Sequence, residues 1–190
     1  MRVIAGSARG RRLESVPGES TRPITDRTKE ALFSIIGAAI AGARFLDLFG
    51  GTGAVGIEAL SRGAARAVFT ERDRRALTTI GHNLQATGLA ENAHVVPGDA
   101  FKYLSRSRDT FEFVYIAPPQ YKEMWIKALK AMDHSEVLVE DGYVIVQIHP
   151  RERMDIDLET LKLVDERRYG STLLLFFRKS IESDDAVSPE

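Results

Sequence analysis

The part of this sequence best suited to bind a ligand is a glycine-rich segment that follows an apolar run. Residues 47–56 have the sequence DLFGGTGAVG. Gly51 and Gly53 lack a Cβ, so the backbone there can turn sharply and approach a ligand closely. With Gly56 they match the GxGxxG pattern of dinucleotide-binding loops, although that pattern is a weak signal on its own. We therefore predict a cofactor loop whose binding glycines are Gly50, Gly51 and Gly53.

Three acidic residues indicate which cofactor this loop would hold. Glu71 comes 20 residues after Gly51, and a carboxylate at that spacing accepts hydrogen bonds from ribose hydroxyls in NAD and S-adenosylmethionine enzymes. Asp47 precedes the loop, where a carboxylate is unwelcome beside a pyrophosphate but suits a cationic amino group and a sulfonium. Asp99 could accept from an adenine amino group beside Ala100, and it could also cap a helix. This combination predicts S-adenosylmethionine as the cofactor, with a nicotinamide cofactor as the alternative.

The elements that would position these residues alternate between strands and helices. Apolar runs predict strands at residues 45–49, 67–71, 94–96, 113–116 and 143–148. Because these runs are apolar almost throughout, we expect strands covered by helices on both faces, joined by right-handed crossovers. Two further runs, 161–164 and 173–177, flank a turn at 169–171 and predict an antiparallel hairpin. The sequence thus predicts an α/β fold, a Rossmann-like and mostly parallel seven-stranded sheet with a C-terminal hairpin, which is typical of class I methyltransferases.

Upstream of the first core strand the sequence predicts a small hairpin and one helix. Residues 2–5 and 12–16 would form an N-terminal β-hairpin around the turn region 6–10. Thr25 or Asp26 would cap a helix that continues to about residue 41.

The composition fits one soluble domain without disulfides. The chain has 190 residues and no cysteine, and its four histidines lack the spacing of metal ligands. The apolar runs are too short to cross a membrane, and no signal peptide precedes the first strand-like residues. We therefore expect a cytoplasmic protein without a metal. The sequence leaves the oligomeric state open, with a monomer favoured.

Charge is divided unevenly along the chain, although the formal net charge is −1. Residues 1–12 contain no acid, and their basic residues are Arg2, Arg9, Arg11 and Arg12. This end could contact phosphates, or it could be a solubilising face. Residues 180–190 contain acids and no base, which predicts a solvated, disordered tail. The predicted parts are therefore 1–24 (hairpin and linker), 25–179 (the main domain) and 180–190 (the acidic tail).

The N-terminal segment carries the most specific family resemblance. Its matching pieces are residues 2–6 (RVIAG), 10–11 (GR), 21–23 (TRP), 25–27 (TDR) and 29–33 (KEALF). Over residues 1–179 the chain resembles the RsmD-type family, which methylates the exocyclic N2 of a guanine in 16S-type small-subunit ribosomal RNA. The resemblance implies that this segment closes over the cofactor and helps admit RNA, either ribosomal RNA or a small-subunit assembly intermediate. It implies phosphate contacts by Arg2, Arg9, Arg11, Arg12 and Arg22.

The family's catalytic motif follows the fourth strand, and this chain departs from it. The motif is an Asp or Asn, two prolines and an aromatic residue, whereas this chain has Ala117-Pro118-Pro119-Gln120-Tyr121. The resemblance implies that the catalytic positions are Ala117, Pro118, Pro119 and Tyr121. Tyr121 could stack on a flipped base.

Ala117 removes a group that amine methylation would use. A guanine N2 amine is a poor nucleophile because its lone pair is delocalised into the ring. An acceptor would orient the amine and favour the charge that develops on nitrogen. Backbone carbonyls of Ala117 or Pro118, or the side chain of Gln120, are the alternatives. Positioning alone lowers reaction barriers substantially, so the substitution does not exclude activity.

Other functions remain open at this point. The chain could be a non-catalytic RNA-binding or ribosome-assembly module that keeps the fold, or a methyltransferase with a different amine acceptor. An oxidoreductase is disfavoured by Asp47 and by the terminal hairpin.

Overall fold

Helices and strands alternate along the chain as the sequence predicts. The computed structural model describes residues 1–18 and 24–179; Arg22 and the predicted tail 180–190 lie outside the described residues. The strands are β1 (Arg44–Asp47), β2 (Arg66–Glu71), β3 (Ala93–Pro97), β4 (Phe111–Ile116), β5 (Leu138–Ile148), β6 (Leu161–Tyr169) and β7 (Thr172–Lys179). The helices are α1 (Asp26–Ile36), α2 (Ala54–Ser61), α3 (Arg74–Thr87), α4 (Ala100–Arg106) and α5 (Met124–Asp133). Short 3₁₀ turns cover Gly37–Ile40, Ala90–Asn92 and Pro150–Glu152.

Within the described chain the strands form one seven-stranded sheet in the order β3-β2-β1-β4-β5-β7-β6. The strands from β3 to β5 in this order run parallel, and β7 is antiparallel to both β5 and β6. This confirms the mostly parallel sheet with a C-terminal antiparallel hairpin. The chain builds outward from β1 to β3 and then returns to place β4 on the other side of β1. Open α/β sheets bind ligands at such a switch point, beside the carboxyl ends of the strands.

Successive side chains of the central strands enter two different hydrophobic clusters. Phe45 and Phe113 belong to the cluster that α1, α2 and α3 cover. Their neighbours Leu46 and Val114 belong to the cluster on the other face, which includes Trp125 of α5. Side chains alternate between the faces of a strand. Because both faces are covered, the strands are apolar throughout rather than alternating.

The first helix begins where the sequence predicts but ends earlier. The Thr25 side chain accepts from the backbone N–H of Thr28 and caps α1. The expected helix to about residue 41 is wrong, because α1 ends at Ile36 and a 3₁₀ turn follows. Gly37 has a φ of 62°, a left-handed conformation that glycine adopts without steric penalty and that interrupts the helical ladder.

The predicted N-terminal hairpin is reduced to one antiparallel bridge, which pairs Arg2 with Arg12. The Val3 N–H still donates to the Arg11 carbonyl at 2.9 Å, but the Arg11 N–H donates to Ala8 within the turn at 3.1 Å, so the ladder ends there. The backbone N–H groups of Ile4 and Ala5 donate to the carboxylate of Glu58, on α2, at 2.8 and 3.0 Å. Past the bridge, a side chain distant in sequence therefore holds the segment against α2.

The N-terminal segment packs into the core of the domain. Val3 and Leu13 are buried in the cluster that α2 covers. Gly6 lies so close to α2 that a Cβ built on it would be 1.7 Å from the carbonyl oxygen of Ser61. The position therefore requires glycine for a close backbone approach as well as for its φ of +83°.

A buried ion pair joins α1, α2 and the N-terminal segment. Lys29 Nζ lies 3.3 Å from Glu58 Oε2, and both side chains are 0% exposed. Lys29 also donates to the carbonyl of Arg2 at 2.6 Å, and Arg62 Nε donates to Glu58 Oε1 at 2.8 Å. Burial lowers the pKa of Lys29, and the charge of Glu58 opposes that shift. Glu58 thus collects contacts from three separate parts of the chain.

We expect Glu58→Ala to lower the free energy of unfolding by about 3–5 kcal/mol, because Lys29 would remain as an uncompensated buried charge. The double variant Lys29→Met/Glu58→Met should lose less free energy of unfolding, because it leaves no unpaired buried charge. Urea denaturation followed by circular dichroism measures both changes. If the single and double variants lose the same free energy of unfolding, the loss would instead come from the missing acceptor for the Ile4 and Ala5 N–H groups.

Candidate active site

A cavity of about 1100 Å³ opens at the switch point of the sheet, beyond the carboxyl ends of β1, β2 and β4. Its lining includes Asp47, Gly50, Gly51, Glu71, Asp99 and Ala100 among the predicted cofactor residues. It also includes the predicted catalytic positions Ala117, Pro118, Pro119 and Tyr121. Gly53 is the one predicted cofactor residue outside this lining. The fold therefore gathers residues from four separate stretches of the sequence around one space.

The glycines of the loop after β1 are needed for different physical reasons. Gly51 and Gly53 have positive φ values of 54° and 76°, and Gly53 is the N-cap of α2. Gly56 is needed for space, since a Cβ there would lie 2.3 Å from the ring of Phe69. Gly53 and Gly56 thus shape the turn from the loop into α2, while Gly51 faces the cavity.

Glu71 joins this loop to the end of β2. Its Oε2 accepts from the backbone N–H of Gly51 at 2.9 Å. Its Oε1 accepts from the N–H groups of Arg72 and Asp73 at 2.7 and 2.8 Å. These contacts hold the carboxylate at the cavity wall. A carboxylate has about four lone-pair positions, so it can still accept from a ligand hydroxyl.

Asp47 is buried beneath the loop with one oxygen unpaired. The residue is 2% exposed, and its Oδ2 accepts from the N–H of Gly56 at 3.3 Å. Oδ1 has no hydrogen-bond partner among the described residues. Burial, assisted by the nearby charge of Glu71 and opposed by the Gly56 N–H, raises the pKa of Asp47 to about 8. A cationic group in the cavity would give Oδ1 a partner and favour the carboxylate form.

Asp99 caps a helix and also borders the cavity. Its Oδ1 accepts from the N–H groups of Phe101 and Lys102, both at 3.0 Å, which confirms the predicted cap of α4. Both bonds use Oδ1, so Oδ2 is available to a donor on a ligand. Ala100 follows on the cavity wall.

The chain after β4 lines the opposite end of the cavity. Ala117 is half-buried, Pro118 is buried, and Tyr121 is 64% exposed. The backbone N–H of Tyr121 donates to Glu152 Oε1 at 2.8 Å, and its ring lies 5.8 Å from the ring of His149. An exposed aromatic ring at a cavity mouth is suited to stacking on a base.

Two residues that line the cavity near this end were not identified from the sequence. The hydroxyl of Tyr115 donates to Gln147 Oε1 at 2.5 Å, and both residues line the cavity. Tyr115 comes two positions before Ala117, so it shares that residue's face of the sheet. Gln147 interrupts the apolar run of a covered strand, and that interruption was the available signal.

Among the described residues, no arginine proposed to contact RNA lines the cavity. The described ones are exposed: Arg2, Arg9, Arg11 and Arg12. Arg2 forms an ion pair with Asp26 at 3.0 Å. Other parts of the same segment, Ser15, Val16 and Gly18, do line the cavity, so the segment borders the site without directing its arginines into it.

Within residues 1–18 and 24–179, no group of three or more His, Asp or Glu side chains is arranged to hold a metal ion. In the same ranges, every helix is too short or too polar to cross a membrane.

A doubly wound sheet that ends in an antiparallel hairpin, with an acid-lined glycine loop at its switch point, defines the class of this protein. It is a Rossmann-like class I methyltransferase. The chain belongs to the family described as Conserved hypothetical protein 95, which matches residues 1–178. Together with the relatives below, this match confirms the resemblance to the RsmD-type family.

Two relatives and one solved structure show how far the similarity extends. The chain is 41% identical over 184 residues to YlbH of Bacillus subtilis (strain 168), covering 94% of this chain and 99% of that protein. It is 35% identical over 147 residues to ribosomal RNA small subunit methyltransferase D of Escherichia coli (strain K12), covering 77% of this chain and 74% of the relative. The solved structure of Escherichia coli yhhF matches with a TM-score of 0.83 at 31% identity, over 94% of this chain and 97% of that one.

We expect Asp47→Asn to remove a pH dependence of stability. In the ligand-free folded protein Asp47 keeps its proton up to about pH 8, whereas its pKa in the unfolded chain is about 4. The unfolded state therefore binds fewer protons between these values, so the free energy of unfolding falls there as pH rises. Between about pH 5 and pH 8 the wild type should lose stability relative to the variant, and above that the difference should level off. Urea denaturation across this pH range measures the free energy of unfolding of both proteins. A difference between them that does not change with pH would contradict the raised pKa of Asp47.

Proposed function

We propose that this protein uses S-adenosylmethionine to methylate the exocyclic N2 of a guanine in small-subunit ribosomal RNA. The observation that carries the cofactor assignment is the unpaired, buried Oδ1 of Asp47 on the cavity wall. The ammonium group of the cofactor's methionine part would supply the missing partner. A pyrophosphate would instead bring negative charge toward a buried carboxyl group, which disfavours a nicotinamide cofactor.

The remaining parts of the cofactor match other groups of the cavity. Glu71 would accept from the ribose hydroxyls, and Asp99 Oδ2 from the adenine amino group, beside Ala100. The backbone of Gly50 and Gly51 would border the cofactor closely, with Gly53 shaping the loop. When bound, S-adenosylmethionine supplies an electrophilic methyl group carried on a sulfonium sulfur.

The residues after β4 would position the acceptor. Tyr121 would stack on the flipped guanine at the cavity mouth, where its ring is exposed. Pro118 and Pro119 restrict the backbone that borders the base, because proline fixes φ. Ala117 would leave room for the amine. Holding the nitrogen in line with the methyl group accounts for a large part of the rate enhancement in such transfers.

The relatives support ribosomal RNA as the substrate. The Escherichia coli relative is named as a methyltransferase of the small-subunit ribosomal RNA. Residues 1–24 would contact this RNA or a small-subunit assembly intermediate, with phosphates bound by Arg2, Arg9, Arg11, Arg12 and Arg22. A ribosomal substrate would place the protein in the cytoplasm.

One observation favours a second candidate function. Ala117 stands where the family's motif has an Asp or Asn, so the chain could bind RNA as a non-catalytic assembly module. Incubation with labelled S-adenosylmethionine and unmodified small-subunit ribosomal RNA, free or assembled into subunits, separates the candidates. We expect N2-methylguanine, identified by nucleoside mass spectrometry. RNA binding without label would favour the module, and label on another base or on a protein would replace the proposed acceptor.

We expect Glu71→Ala to weaken S-adenosylhomocysteine binding by about tenfold or more, since a charged acceptor of the ribose is lost together with the partner of the Gly51 N–H. Isothermal titration calorimetry measures the affinity. The control is Glu91→Ala, which removes an exposed glutamate in the Ala90–Asn92 turn. Retained affinity in Glu71→Ala would contradict the placement of the cofactor.

A further inference from the structure

Gln147 stands beside the position where the family's acceptor is missing. β4 and β5 are parallel neighbours, and Ile116 pairs with Val146. One step further along this register, Ala117 comes next to Gln147. Gln147 and Ala117 therefore border the cavity side by side.

The side chains of Ala117 and Gln147 also share a face of the sheet. Ala117 packs against the cluster that contains Tyr115 and Ile145. Ile116, which precedes Ala117, and Val146, which precedes Gln147, belong to the cluster on the other face. Because side chains alternate along a strand, Gln147 lies on the same face as Ile145. The hydrogen bond from Tyr115 to Gln147 agrees with this placement.

We propose that Gln147 accepts a hydrogen bond from the target amine in place of the side chain that Ala117 lacks. The inference rests on the proposed function. Tyr115 is 3% exposed, so its hydroxyl is held in the core and fixes Gln147 Oε1 from one side at 2.5 Å. An amide oxygen has two lone pairs, and the second is left for the guanine N2–H.

This contact would act by orientation and electrostatics. The hydrogen bond directs the nitrogen lone pair toward the methyl group and stabilises the positive charge that grows on nitrogen. As the new nitrogen–carbon bond forms, the carbon–sulfur bond breaks and its electron pair stays on sulfur. The methylated nitrogen then releases one proton to water, because a neutral amide is too weak a base to keep it. Tyr115 acts through Gln147 and is a positioning residue.

Two single variants and one rescue variant test this assignment. We expect Gln147→Ala to lower the single-turnover methylation rate about 10- to 100-fold, with affinity for S-adenosylhomocysteine unchanged. Adding Ala117→Asp to Gln147→Ala should restore the rate at least about tenfold, because it returns an acceptor to the same space. Tyr115→Phe should lower the methylation rate less than Gln147→Ala does. Wild-type RNA methylation is measured in parallel, and calorimetry reports cofactor binding without reference to activity.

Either of two results would overturn the role of Gln147. One is a wild-type rate in Gln147→Ala, and the other is a loss that Ala117→Asp does not relieve. A wild type that transfers no methyl group to RNA would instead remove the proposed function, and this role with it.

A second inference rests on a separate recess of about 500 Å³ at the mouth of the cavity. The two spaces share His149 and Ser171. The recess is otherwise lined by Pro150, Arg151, Arg168 and Gly170. His149, whose ring contacts that of Tyr121, therefore borders both spaces.

Arg151 and Arg168 keep their positive charge available. Within the described chain neither forms an ion pair, and Arg168 Nε donates to the carbonyl of Gly170 at 3.2 Å. The nearby arginines Arg153 and Arg167 are each paired with carboxylates. The adjacent acid, Glu152, accepts from two backbone N–H groups.

From these charges we infer that the recess binds an RNA phosphate next to the flipped nucleotide, a contact that deepens the proposed function. A base stacked on Tyr121 would leave its backbone outside the cavity, and the recess is next to Tyr121 through their shared neighbour His149. Guanidinium groups bind phosphate oxygens through paired N–H donors. The N-terminal arginines are separate from this recess, so the two would contact different phosphates.

The salt dependence of RNA binding tests this contact. For Arg151→Gln/Arg168→Gln, binding to an unmodified small-subunit ribosomal RNA transcript should weaken, and the slope of log affinity against log salt should fall by about 1 to 2. Affinity for S-adenosylhomocysteine should not change. The control is Arg66→Gln at the amino end of β2, away from the recess; this arginine is exposed and lies 3.9 Å from Asp109. The inference would be overturned if the double variant kept the wild-type salt slope, or if the slope fell equally in the control. A wild-type protein that does not bind the RNA would count against the proposed function itself.

Discussion

The burial of the Asp47 carboxyl group under a glycine loop is the constraint on which the site depends. Without a ligand, one oxygen has no partner among the described residues, and burial raises the pKa of the group to about 8. Buried polar atoms without partners are uncommon in folded proteins because each one lowers stability. The protein tolerates this loss at the point where its strand order reverses. A cationic group in the cavity would give this oxygen a partner and favour the carboxylate form.

Contacts to Glu71 make the rest of the cavity wall depend on the same loop. Its carboxylate receives the Gly51 N–H from the loop and two N–H groups from the end of β2. On another side, the Glu58 carboxylate anchors the N-terminal segment at Ile4 and Ala5. Ser15, Val16 and Gly18 of that segment then border the cavity. Two carboxylates that bind backbone N–H groups thus set the shape of the wall, and neither acts through exposed charge pairing.

At the end of the cavity beside Ala117, the polar groups come from two neighbouring strands. Parallel register places Gln147 of β5 beside Ala117 after β4, and Tyr115 fixes the orientation of the amide. A motif confined to residues 117–121 therefore gives an incomplete account of this site.

Local patterns in the sequence were enough to predict the sheet class, the terminal hairpin, the glycine loop and the caps at Thr25 and Asp99. Each of these depends on chain neighbours: the burial of a run, a φ that only glycine adopts freely, or a side chain that reaches an N–H two or three residues ahead. Tertiary structure alone decided the binding of the Ile4 and Ala5 N–H groups by Glu58, the unpaired oxygen of Asp47 and the pairing of Tyr115 with Gln147. These depend on which distant group reaches a donor or acceptor first. That competition is settled by packing in three dimensions, and the order of residues along the chain does not record it.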